Sequence, residues 1–391
     1  MHVQTLILGA GAAGLMAAAH AGPSTLVIDH AKAVGEKIRI SGGGRCNFTN
    51  MQCGPDNFIS KNKHFSKSAL KRFSQWDFLD LVQKHRIPWH EKTLGQLFCD
   101  TSAKDIIQML LAEASAATIW TRTRLIELSH DGSHFRVTIE KDGKNLDVTT
   151  KALIVATGGK SIPKMGATGL AYDIAAQFGH PVTETRAGLV PFTFPDGRFS
   201  PLSGLSLPVR GETGGQAFEE ALLFTHRGLS GPAILQLSSY WREGQDVALN
   251  LLPGSDVVSA LKAARQQTGK RNLTTGLATM LPEKLVTFLA GEIDLTGNCG
   301  DLSNSRIDAL AAALQSWRVL PQGTEGYRTA EVTLGGVSTD GVDSRTMMSK
   351  SLPGLFFIGE CLDVTGWLGG YNFQWAWSSG VAAGQAARDV R

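Results

Sequence analysis

The sequence predicts an α/β fold in which a parallel-sheet domain is interrupted by an inserted β-barrel-like domain that carries a small helical subdomain. Three observations predict it. A short β-rich run over residues 3–8 is followed by Gly9-x-Gly11-x-x-Gly14, an Ala-rich helical pattern over 12–21, and a second β run ending on Asp29. Near Gly188 the composition shifts to prolines and short β runs, as "LVPFTFPDGRFSPLSGLSLPVRG" shows. Residues 257–317 are then mostly helical in period, before "YRTAEVTLGGV" returns to the first domain near Gly335. A chain of 391 residues is too long for one compact core, which fits this division.

Each part of the opening motif has a physical task. Gly9 permits the tight turn, Gly11 lets a pyrophosphate approach the backbone, and Gly14 lets the helix close on the strand. Ala12 and Ala13 start a helix whose N-terminus faces phosphates, and Asp29 stands twenty residues after Gly9 to accept from ribose hydroxyls. The combination reads as a Rossmann-like dinucleotide fingerprint. Asp29 also disfavours a bound 2′-phosphate through like-charge repulsion. The fingerprint is shared by FAD and NAD. The next stretch, "GEKIRISGGGRCNFTN", separates them: Lys37, Ser41, Gly42, Gly43, Arg45, Cys46 and Asn47 lie in a Gly-rich loop where a plain NAD domain would continue to a crossover helix. Such a loop offers backbone N–H groups and charge to an extended cofactor. Within it Cys46 reads as a packing residue rather than a nucleophile.

Composition excludes several classes. Lys and Arg number 38 against 35 Asp and Glu, a net charge of +3, with no long basic run; no nucleic-acid partner and no basic face are expected. The cysteines at 46, 53, 99, 299 and 361 form no C-x-x-C, so no disulfide framework, metal site or redox dithiol is expected, and a reducing cytoplasm fits. "LILGAGAAGLMAAAHAG" is apolar, but it holds four glycines and residues 2–5 carry no Lys or Arg. It reads as structure rather than as a leader, and it is too short to span a bilayer, so no membrane partner is expected.

The motifs "GAGAAG", "SGGGRCNFTN", "HEKTLGQLFC", "FTHRGLSGPAILQ", "EVTLGGV" and "FIGECLDVTGWLGGYNFQWAWSSG" resemble those of the BaiN-like bacterial flavoproteins, a family that includes aminoacetone oxidase and a bile-acid 3-oxo-enone reductase. The resemblance runs over essentially the whole chain. It implies a two-dinucleotide-type FAD-binding domain, non-covalent FAD and an inserted domain, and leaves the substrate open. It further implies backbone contact of Leu125 with the adenine. Thr157, Gly158 and Gly159 form a second close approach at a strand end, and Gly359-Glu360 is placed for the ribityl hydroxyls. Gly369 and Gly370 are expected to be glycine because a side chain would strike the flavin ring. Asn372 is the expected N-cap of a helix from Phe373 to about 388 that points at the pyrimidine edge.

The expected domains are 1–188 with 334–391 for FAD, 189–253 with 319–333 for the β-barrel-like insert, and 254–318 for the helical subdomain. No second G-x-G-x-x-G and no C-x-x-C follow, so a pyridine-nucleotide-disulfide reductase is not expected. The reading is an FAD-dependent oxidoreductase of an unidentified small molecule, with hydride drawn from that substrate or from NAD(P)H as a transient donor. His226, Tyr371 and Trp367 are the candidate substrate or acid–base residues, at a pocket between flavin and insert. Two other readings stand beside it: a redox sensor without turnover, and a flavin-dependent RNA-modifying enzyme, which should carry a basic face.

Overall fold

The computed structural model describes residues 1–390, which divide into two compact units: 1–186 with 332–390, and 187–331. The first unit is built on a seven-stranded sheet. In order across it run Thr118–Trp120, Thr25–Ile28, His2–Leu8, Lys144–Val155, Phe135–Lys141 and Thr123–His130, with Leu355–Phe357 also paired to Lys144–Val155. The runs "TLVI", "LIL", "LIV" and "LFF" are apolar without alternation because both faces of these parallel strands are buried. The long strand Lys144–Val155 changes partners along its length. Its first half is antiparallel to Phe135–Lys141, and residues 153–155 are parallel to Leu355–Phe357. Register brings the parallel strands to one common edge, since Leu8 aligns with both Ile28 and Val155, and Val155 with Phe357. Ligands of open α/β sheets bind outside this edge.

Two helices close over the sheet edge. The fingerprint helix (Ala12–Ala21) lies against the last helix (Tyr371–Ala387) through four small residues. A Cβ added to Gly380 would lie 2.7 Å from the Ala13 carbonyl oxygen, and one on Gly384 would overlap the Ala17 carbonyl oxygen. Residues four apart share a helix face, so Gly380 and Gly384 meet Ala13 and Ala17 as matched pairs. Each helical glycine costs roughly 0.8–1.0 kcal/mol against alanine; the close approach is what offsets it.

The second unit contains a seven-stranded sheet whose path is Trp317–Val319, Val247–Asn250, Ser206–Thr213, Gln216–Phe224, Gly228–Ser230, Phe192–Thr193 and Gly323–Thr324. Every recorded pairing in it is antiparallel. Its two edge strands, Trp317–Val319 and Gly323–Thr324, are separated in the chain by only residues 320–322, so the sheet curls back on itself as a barrel does. Helices Val257–Gln267, Leu273–Leu277, Glu283–Leu289 and Asn304–Gln315 fill the stretch between two of its strands.

Local chemistry revises three sequence readings. The apolar period of "FSKSALKRFSQWDFLDLVQKH" predicts helix over 65–85, and the structure holds two helices there, Lys67–Arg72 and Gln75–Lys84. Ser74 breaks it by starting a new helix, its backbone N–H donating to Asp77 Oδ2 at 2.7 Å in a capping box. Ser230, which the sequence suggests as the N-cap of a helix with Pro232 in its first turn, belongs to a strand, and Gly231 at φ +88° precedes the helix Pro232–Ser238. The last helix begins at Tyr371 with Gly370 as its N-cap, two residues before the expected start. Gly384→Leu should lower stability by about 1–3 kcal/mol through overpacking against Ala17 and His20, despite leucine's better helix propensity. Denaturant unfolding reads this directly; an unchanged or raised midpoint would remove the helix contact from the account.

Candidate cofactor and active site

The fingerprint turn sits on the sheet edge. Gly9 has φ +107°, and a Cβ there would lie 2.5 Å from the Ala156 carbonyl oxygen; a Cβ on Gly14 would overlap the Gly9 carbonyl oxygen. These two glycines are demanded by the protein's own packing. Gly11 is not, since a Cβ there would meet nothing within 4 Å. The open space there leaves room for an approach from outside, which fits a pyrophosphate. Asp29 ends the second strand with Oδ2 accepting from Ala10 N at 2.7 Å and Oδ1 from Ala31 N at 2.8 Å. Both oxygens keep further acceptor capacity for a ribose diol.

The second loop explains its own composition. Gly42, Gly43 and Gly44 take φ +55°, +66° and +84°, a left-handed run that only glycine accepts readily. Ser41 and Arg45 flank them, and Asn47 opens a strand (Asn47–Asn50) paired with Gln96–Cys99. Cys46 is fully buried, and burial pushes its thiol far above the usual range. Burial also pushes Cys53, Cys99 and Cys361 up to about 12. These cysteines are thiols at neutral pH, not nucleophilic thiolates.

Lys37 and Glu360, both expected at the cofactor, meet each other. Lys37 Nζ donates to Glu360 Oε2 at 2.9 Å and to Ser161 Oγ at 2.7 Å. Ser161 Oγ donates to Glu360 Oε1 at 2.8 Å, which also accepts from Thr333 N at 3.0 Å. Ser161, Thr333 and Lys160, whose N–H donates to Thr333 Oγ1, were not singled out by sequence because nothing in their spacing marks them. Nearby, Gly158 has φ +72°, and a Cβ on Gly159 would overlap Thr333 Oγ1. Thr157 Oγ1 and Arg39 Nε are buried without a partner in the protein. Arg39 was also missed, although it stands inside the "GEKIRISGGGR" stretch. Orphaned buried polar atoms beside an open glycine turn fit a bound phosphate-rich cofactor.

The "WLGGYNFQWAWSSG" segment is tied down by hydrogen bonds. A Cβ on Gly370, at φ +95°, would overlap the Thr49 carbonyl oxygen, and one on Gly369, at φ +115°, would lie 3.1 Å from Gln96 Cγ. The immediate reason for both glycines is therefore contact with the Asn47–Asn50 strand and its partner, a constraint the flavin-ring explanation did not foresee. Asn372 is not the N-cap; its Oδ1 accepts from Gly366 N at 2.8 Å and its Nδ2 donates to Gly366 O at 2.8 Å, fixing the preceding loop. Trp375 Nε1 donates to Gly359 O at 3.0 Å, Ser379 Oγ accepts from Gly359 N at 3.0 Å, and Trp377 Nε1 donates to Phe48 O at 2.8 Å. Phe373 stacks on Trp377, which stacks on Phe78. Tyr371 is buried at the first turn, edge-on to half-buried Trp367. Leu125 is half-buried on the strand Thr123–His130. His226 is exposed on a turn of the second unit, where Thr225 N donates to Gly228 O.

Burial pushes the Glu360 carboxyl up, but Lys37, Ser161 and the Thr333 N–H outweigh it and hold the group below the usual range. A depressed folded-state value means the stabilisation is present above the ordinary carboxylate range and lost as pH falls through the folded value. Lys37→Met removes the charge that opposes burial and leaves only the Ser161 and Thr333 hydrogen bonds against it. The acid limb of stability, followed by melting temperature against pH, should then move to higher pH; an unmoved limb would mean the pair carries no such load.

Comparison with known proteins places these features. The chain is 50% identical over 392 residues to a ribosomal RNA dihydrouridine synthase of Escherichia coli, covering 97% of this chain and 96% of that one. It is 47% identical to the Haemophilus influenzae protein of the same name, with 97% of each covered. A 3-dehydro-bile acid delta(4,6)-reductase of Clostridium scindens is 28% identical over 98% of both chains. Among solved structures, the 3-ketosteroid-delta4-(5alpha)-dehydrogenase of Rhodococcus jostii shares the fold, with a TM-score of 0.54 at 15% identity, covering 99% of this chain and 97% of that one. The first two relatives overturn the expected small-molecule substrate and the expected absence of a nucleic-acid partner. That expectation rested on whole-chain charge, which does not report how cations are distributed on the surface. No helix among the described residues is long and apolar enough to cross a membrane. Residues 3–386 match the family described as HI0933-like protein Rossmann domain, and the chain belongs to that family of FAD-dependent oxidoreductases.

Proposed function

We propose that this protein reduces a uridine of ribosomal RNA to dihydrouridine, using FAD. The observation that carries the reading is near-full-length identity of 50% and 47% to two proteins named for that reaction. The site supports it. Reduction of uracil at C5–C6 adds a hydride to C6, the carbon conjugated to the C4 carbonyl, and a proton to C5. FAD, when bound and reduced, supplies hydride to an electron-poor double bond of this kind.

The protein's own groups supply placement and protons. Asp29 and the backbone around Gly11 are proposed to hold the adenosine diphosphate portion, with the Gly42–Gly44 loop, Thr157 and Arg39 continuing along the cofactor. The first N–H groups of the last helix carry partial positive charge and favour negative charge nearby. Tyr371 is the proposed proton-handling residue and Trp367 a wall against the base. NAD(P)H is the proposed source of reducing equivalents.

Incubation of the purified protein with unmodified ribosomal RNA transcript, FAD and NADPH or NADH tests the reading. Nucleoside mass spectrometry should find a uridine converted to a product heavier by two hydrogens. Recovery of unchanged uridine with both donors, from protein that holds FAD, would reject it.

A further inference from the structure

We propose that residues 61–72 form a binding surface for the phosphate backbone of the RNA substrate; this rests on the ribosomal RNA reading above. No Asp or Glu occurs between Asp56 and Asp77. Within 61–72 the exposed residues are Lys61, Lys63, His64, Lys67, Lys71 and Arg72, so every exposed position is basic. Among the described residues, no ion pair engages the ammonium groups of Lys63, Lys67 and Lys71, and that of Lys61 acts on Asp363 only at longer range. Clustered like charges left unpaired cost folding stability, so stability does not account for them.

The other side of the same segment is apolar and fixed. Phe65 and Ala69 are buried, and Phe65 lies edge-on to Trp375 of the last helix at 6.1 Å. The segment is also joined to the candidate active site. Phe58 and Ile59 pair with Gly366 and Thr365, Asn57 O accepts from Trp367 N at 3.0 Å, and Lys61 N donates to Asp363 Oδ2 at 3.1 Å. The cations therefore stand on a rigid strip that leads into the loop before Tyr371. A membrane surface would call for exposed apolar residues among the basic ones, and 61–72 exposes none. Unpaired lysines on a fixed strip suit a polyanion, whose condensed counterions are released on contact.

The test compares two charge-matched variants of the full protein loaded with FAD. One carries Lys61→Gln, Lys63→Gln, Lys67→Gln and Lys71→Gln; the other carries Lys104→Gln, Lys144→Gln, Lys262→Gln and Lys284→Gln. Affinity for a ribosomal RNA transcript is measured against salt. For the first variant, affinity at about 0.1 M salt should fall at least tenfold, and the slope of log affinity against log salt should become shallower by about 3, from four contacts of roughly 0.7–0.9 each. Flavin content should match the parent in both, and the second variant should bind RNA as the parent does. Parent-like affinity and slope in the first variant would overturn the surface, as would equal loss in the second. Loss of binding to phosphatidylserine vesicles with RNA affinity unchanged would assign the strip to a membrane and overturn it too. Dihydrouridine formation by the parent is measured alongside. A parent that forms none rejects the reaction, whereas a parent that forms it beside an RNA-binding first variant rejects only this surface.

Discussion

The close crossing of two helices through Ala13, Ala17, Gly380 and Gly384 is the constraint on which the candidate site depends. The fingerprint helix is fixed to the first strand by Gly9 and Gly14. The last helix is fixed to it by carbonyl-to-glycine contact that no larger residue permits. Through that one helix, Trp375 and Ser379 hold Gly359, Trp377 holds Phe48, and Thr49 donates to Gln374. The turn at Gly9–Gly14, the loop before Asn47, the strand end at Gly359 and the Gly369-Gly370 loop are far apart in sequence. They become one site because each bonds to, or packs on, the same helix.

Electrostatics adds a second level. Lys37 and Glu360 come from opposite ends of the chain and meet beside Ser161, so the loop and the last strand end are tied by charge as well as by packing. Removing Lys37 leaves the half-buried Glu360 carboxylate with hydrogen bonds from Ser161 and Thr333 but no counter-charge. Arg39 Nε and Thr157 Oγ1 have no partner in the protein, which marks where a polar cofactor would complete the hydrogen bonding.

Much of this was legible before the structure. The turn at Gly9–Gly14 and the placing of Asp29 at a strand end could be read because the fingerprint is local: strand, turn, helix and acid follow one another within thirty residues. The three consecutive glycines at 42–44 read as a loop for the same reason, although their left-handed run appears only in the structure. What depended on distant partners was not legible. Gly370 was attributed to a ligand because its true neighbour, Thr49, lies 321 residues away in the chain. Asn372 was read as a cap because capping is the commonest local use of asparagine, whereas here it closes the loop behind it. The error about nucleic acid was one of averaging. A net charge of +3 conceals a segment, 61–72, in which the acids are absent and the cations all face outward. Its sequence showed the first fact; only burial showed the second.

The central claim is that electrons held on the flavin of this protein pass to uridine in RNA. Anaerobic mixing of the reduced protein with an unmodified ribosomal RNA transcript tests it most directly, with flavin absorbance followed in time and the RNA analysed afterwards. The account predicts that the flavin is reoxidised by the transcript and that one dihydrouridine appears for each flavin oxidised. A flavin that stays reduced with the transcript, yet is reoxidised by a small enone in the same solution, would contradict it.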